Sequence, residues 1–170
     1  MARNATPKTR QFPTHIEIPA DKREALCNLL NGHLADTFDL FSQVKQAHWN
    51  VKGKDFYQLH LLFDEIAEEL EDFVDELAER VTSLGGYANG TTRMAAESSR
   101  IPEYPTSAIA GPDHVEALTE RFGIYCASVR AAIDESDKLG DASTADLYTE
   151  ISRTADKRLW FLEAHIQDAE

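Results

Sequence analysis

Apolar residues return every three or four positions along four separate stretches, and that spacing commits the chain to long amphipathic helices. The first stretch carries Leu26, Leu30, Leu34, Phe38 and Phe41, one stripe of a 3.6-residue period. It predicts a helix from about Ala20 to about Asn50 that stops near Gly53. The second carries Phe56, Leu59, Phe63, Ile66, Leu70, Phe73, Leu77, Val81 and Leu84, and ends at Gly85-Gly86, a C-cap signal. A connection over about 87–111 follows, with Pro102 and Pro105, and its middle, Thr91 to Ser99, predicts a short helix. The third long helix starts after Gly111, with Pro112 in its first turn, and runs to about Leu139. The fourth starts near Ser143, where Ser143 and Asp146 have a cap-like S-x-x-D spacing, and runs to about Gln167. No stretch alternates with a period of two. Short turns within two helix pairs and one long crossover between them describe an all-α four-helix bundle, the crossover carrying a short helix.

A chain of 170 residues suits one domain with a full core. Residues 1–20, with Pro7, Pro13 and Pro19, read as a basic tail ending in an extended strap, and 21–170 as the bundle. No apolar run approaches the roughly 18 residues that a membrane span needs. The basic N-terminus is not followed by an apolar stretch, so no secretory signal is expected. Cys27 and Cys126 form no C-x-x-C and are read as reduced thiols of a cytoplasmic protein. Net charge is −13, although the first ten residues hold Arg3, Lys8 and Arg10 and no acid. The body is therefore more acidic still, a composition that repels nucleic acid and attracts cations. Solubility alone is a sufficient reason for such a charge.

The second helix is unusually polar for its length. His60 and Asp64 lie four apart and share a face, as do Asp75 and Glu79. His48 closes the first helix. Imidazole and carboxylate are ligands that a ferrous ion accepts, whereas an acid-rich helix in general is a solvated face. His48 precedes Gly53 by five residues and His60 follows it by seven. In antiparallel helices both then stand ~8–10 Å from the turn, at a common height. Asp75, fifteen residues beyond His60, lies ~22 Å away along the same helix, so one ion cannot take both. Either the pairs are unrelated, or they meet between chains. A two-fold axis crossing the second helix near Glu68 or Glu69 would set His60 of one chain beside Asp75 and Glu79 of its mate, twice per dimer. No Glu-x-x-His occurs in the chain, so a di-iron centre inside one bundle lacks its usual ligands.

The stretch AHWNVKGKDFYQLHLLFDE, followed by VDELAERVTSLGG and later by TADKRLWFLEAHI, closely resembles the signature of the Dps family, ferritin-like proteins also called miniferritins. The resemblance runs in order from about residue 22 to about residue 167. It implies a hollow homododecamer with three-fold pores and ferroxidase sites at its dimer interfaces. His48, His60 and Asp64 match the ligands of one subunit, and Asp75 and Glu79 those of its mate. The implied activity is oxidation of Fe²⁺, with hydrogen peroxide in preference to oxygen, and storage of the ferric mineral, which protects against oxidative stress. Zinc or another divalent ion would compete for the same ligands. Asp64 would bind directly, through water, or by orienting His60. Trp49 would be an electron donor near the site or simply a packed aromatic. Asp137, Asp141 and Asp146 resemble the acids that line the family's three-fold pore, although Asp is also common at turns. His15, His33, His114 and His165 have no such partners in sequence and read as surface or packing residues.

Two other functions compete. Some members of the family coat DNA through lysine-rich tails. Here three positive charges on the tail and an acidic body predict weak or absent DNA binding. A purely structural bundle would lose nothing on replacement of His48 and His60, and leaves the grouping of imidazole and acid unexplained.

Overall fold

The computed structural model describes residues 10–167. Five helices follow in order: α1 (Ala20–Asn50), α2 (Phe56–Ser83), α3 (Thr92–Ser98), α4 (Gly111–Leu139) and α5 (Ala142–Ala164). The all-α bundle, its two hairpins and the short helix in the crossover agree with the apolar periodicity. α1 packs along α2 and α4 along α5, while α3 lies against α1. Aliphatic and aromatic side chains of the four long helices, among them Leu30, Leu34, Phe63, Leu77, Phe122 and Ile151, pack in one core. No described helix is long and apolar enough to cross a membrane, and both cysteines are free and buried.

The turns that close the hairpins have specific chemistry. Beyond α2, Gly85 is left-handed at φ 83°. Its N–H donates to the Thr82 carbonyl at 3.0 Å, and the Gly86 N–H to the Val81 carbonyl at 2.9 Å. This is the paired arrangement of a Schellman end. The same pattern closes α4. Gly140 is left-handed at φ 84°, and the Gly140 and Asp141 N–H groups reach back to Asp137 and Ser136. Asp141 then serves at once as the N-cap of α5, its carboxylate accepting from the Thr144 N–H at 3.2 Å. The cap is thus Asp141 with Thr144, not Ser143 with Asp146. The Schellman end of α4 finishes on Asp141 and leaves no residues for a later start.

Of the basic tail, residues 1–9, with Arg3 and Lys8, lie outside the described residues. From residue 10 the chain runs extended, and the Phe12 N–H donates to the Gly85 carbonyl at 2.7 Å. The strap thereby lies against the end of α2 before Pro19 caps α1. In the crossover, buried Asp36 of α1 accepts from the backbone N–H and guanidinium of Arg100, which fixes the chain after α3.

Candidate metal centre

His48, in the last turn of α1, and His60, in the second turn of α2, face each other across the Lys52–Asp55 turn. Each Nδ1–H donates to the other residue's backbone carbonyl. His48 reaches the His60 carbonyl at 2.8 Å, and His60 the His48 carbonyl at 2.9 Å. The rings stack with centroids 3.8 Å apart and planes 20° apart. A carbonyl only accepts, so this reciprocal pair places a proton on each Nδ1, and in the neutral ring the lone pair is then the one on Nε2. Neither Nε2 has a hydrogen bond within the described chain. Phe56, one turn before His60, stacks on it at 5.1 Å.

Asp64 lies one turn beyond His60, with Oδ1 3.7 Å from His48 Nδ1. Its nearest partner is Lys45, whose Nζ donates to Oδ1 at 2.7 Å. That bond, ahead of any other influence, holds the Asp64 carboxyl below the usual carboxylate range. Lys45 also sits 5.9 Å from the ring centre of Trp49, which is 66% exposed. Sequence reasoning missed Lys45, although its position three residues before His48 on α1 was a visible signal.

Asp75 and Glu79 sit on the exposed face of the C-terminal half of α2. The helix is continuous between them and His60, so the structure keeps them apart from the imidazoles within one chain. Neither carboxylate has a hydrogen-bond or ion-pair partner among the described residues. Their neighbour Glu76 is pushed up by partial burial and then by the charges of Glu150, Asp72, Asp75 and Glu79. A carboxylate crowd of this kind is relieved by a cation. Among the described residues no group of three or more His, Cys, Asp or Glu side chains is arranged to hold a metal ion within one subunit.

The interior of the bundle offers no alternative. His33 is buried, with Nδ1 at the Leu29 carbonyl and the Tyr148 hydroxyl, and Nε2 at the Ser128 hydroxyl. Both nitrogens are engaged, and burial lowers its pKa. His114 is buried with its Nδ1 2.7 Å from the Tyr104 hydroxyl and its Nε2 without a hydrogen-bond partner among the described residues, and no acid or second imidazole among them stands with it in a metal-holding group.

Comparison with known proteins agrees with this architecture. The model of the ferritin-like domain family matches residues 27–170. A DNA protection during starvation protein of Agrobacterium fabrum is 42% identical over 155 residues, 91% of this chain and 96% of the relative. The chain belongs to the Dps family. Among solved Dps structures, DpsC from Streptomyces coelicolor superposes with a TM-score of 0.89 at 34% identity, covering 100% of this chain and 98% of that one. A Dps protein from Vibrio cholerae, described as a member of the ferritin-like diiron-carboxylate superfamily, gives 0.85 at 28% identity, covering 97% and 100%.

The three acids read as candidate Dps pore residues divide. Asp137 and Asp146 are exposed near the α4–α5 turn. Asp141 is buried, and its carboxylate is gripped by both Oδ atoms to Arg80 Nη2, at 2.8 and 2.7 Å, and by the Thr144 hydroxyl. Burial pushes its carboxyl up, but the bonds from Arg80 and Thr144 together outweigh it and hold the group below the ordinary range. Asp141 is therefore a structural acid joining α2 to the α4–α5 turn, a correction to its reading as an open pore carboxylate. Both oxygens already face donors.

Proposed function

We propose that the protein is a cytoplasmic iron-storage and detoxification ferroxidase, oxidising Fe²⁺ at sites shared between subunits of a dodecameric cage. One observation carries this reading: two stacked imidazoles whose Nδ1–H groups are committed to backbone and whose Nε2 lone pairs are not. Two stacked imidazoles, each offering one nitrogen, can each serve one of two neighbouring cations. Imidazoles bring no negative charge. Anionic oxygen completes the site: Asp64 lies beside His48, and in this reading a two-fold axis brings Asp75 and Glu79 of the mate's α2, exposed on their own chain, to the same imidazoles. Oxygen ligands favour the ferric product and imidazoles hold Fe²⁺ more loosely, so the set binds, oxidises and releases. Zinc would compete without being oxidised.

Two Fe²⁺ give one electron each to one hydrogen peroxide. With two protons this yields two Fe³⁺ and two water molecules, and no hydroxyl radical is set free. Peroxide is for that reason the preferred oxidant in this reading. Fe³⁺ then collects as mineral in the cavity, with Asp137 and Asp146 drawing cations toward the entry.

The test is anaerobic Fe²⁺ loading of the assembled protein followed by a peroxide pulse, with the ferric absorbance recorded. Wild type should oxidise rapidly, and Asp75→Ala/Glu79→Ala, verified as assembled, should lose the fast phase. Equal slow rates in the two proteins would remove the shared site.

A further inference from the structure

We infer that Phe56 is a positioning residue for His60, clamping the imidazole so that its Nε2 keeps one direction. The inference rests on the reading of His48 and His60 as cation ligands. His60 lies between two rings. His48 stacks on one side at 3.8 Å and 20°, and Phe56 stacks at 5.1 Å and 28°. Phe56 and His60 are four apart on α2, the spacing at which helical side chains cover one another.

An imidazole needs such support. Rotation about its Cβ–Cγ bond has broad, two-fold wells. A half-turn would set a C–H against the His48 carbonyl and lose the 2.9 Å bond, so that bond selects the edge, while a ring stacked on the face limits the tilt that would carry Nε2 off its direction within the well. His48 is 8% exposed and held by its surroundings. His60 is only half-buried, so the phenyl supplies the wall that the core does not. Phe56 has no place in the core to explain it, being 45% exposed and outside the buried cluster.

The experiment is anaerobic titration of the assembled protein with Co²⁺, which reports each ligated ion by its visible absorption without being oxidised. Phe56→Leu and Phe56→Met keep an apolar side chain and lose the ring, and Phe56→Tyr keeps it. In the leucine and methionine chains the weaker of two Co²⁺ equivalents per site should lose about two- to tenfold in affinity, the range that an aromatic pair is worth. The other equivalent and the tyrosine chain should be unchanged. In a His60→Ala background, Phe56→Leu should have no further effect, because the two act through one ring. Identical titrations of Phe56→Leu and wild type would overturn the inference. So would a loss shared equally by both ions, or disassembly of both the leucine and methionine chains, either of which would make Phe56 an interface residue. If wild type itself binds no Co²⁺ that Asp75→Ala/Glu79→Ala abolishes, the underlying reading of the shared site fails instead.

Discussion

Lys45 and Asp64 show how a single contact adjusts a site. The ammonium 2.7 Å from Asp64 Oδ1 is a fixed positive charge beside the imidazole pair, and any divalent ion drawn by Asp64 must displace or share it. Lys45→Met is expected to tighten Co²⁺ binding by about two- to fivefold, the modest figure that exposed ion pairs permit. An unchanged titration would show that Asp64 does not act as a ligand. Asp141 works in the opposite sense, as a pair that the fold needs. Its folded pKa is depressed, so the pair stabilises above the ordinary carboxylate pKa of about 4 and the contribution fades as pH falls through the lower folded value. Asp141→Asn keeps a capping side chain but loses the charge. It should cost about 2 kcal/mol near neutral pH, less than a fully buried pair because Arg80 is partly exposed. The melting temperature should drop by several degrees at pH 7, and the gap from wild type should narrow below about pH 4. A gap that does not change with pH would assign the loss to geometry rather than charge.

At the scale of elements, the end of α2 organises the strap. Gly85 holds a left-handed φ, and a Cβ built there would lie 2.6 Å from the Phe12 carbonyl oxygen. Alanine therefore meets both backbone strain of about 1 kcal/mol and a clash with main chain that cannot rotate aside. Gly85→Ala is expected to release the strap while leaving the hairpin of α1 and α2 intact. Limited proteolysis would show faster cleavage within residues 10–19, and unchanged protection would refute the docking role. The limits of α1 and α2 were legible, because apolar spacing and the Gly85-Gly86 ending are local signals. The start of α5 was not, because Asp141 closes α4 through its N–H and caps α5 through its carboxylate at once, and only the Schellman end of α4 shows which acid caps.

At the scale of the whole molecule, the distribution of charge sets the partners. A net charge of −13 over the chain, with the basic residues of the first ten set against a still more acidic body, repels phosphate. Relatives carry a name that speaks of DNA protection. For this chain, gel-shift titration with duplex DNA near neutral pH and physiological salt should show no tight complex. A tight complex that vanishes on removal of residues 1–10 would place DNA binding in the tail. The separation of Asp75 from His60 belongs to this scale too. Both ride one unbroken helix, so the geometry of a straight α2 already demands a second subunit for any site that uses both.

The amino-acid order by itself determined four long helices and their pairing, because burial of a 3.6-residue stripe depends only on which residues are apolar. It determined that His48 and His60 stand at one height, since helical rise is constant. It also placed Asp75 and Glu79 beyond reach of His60 in one chain. Only the tertiary structure decided which atoms are free. That each imidazole gives its Nδ1–H to a carbonyl across the turn, that Lys45 holds Asp64, and that Asp141 turns inward to Arg80 all depend on rotamers and on distances between packed helices. Those are set to within an ångström by the packing of the core, and nothing in the order of residues along one helix records them.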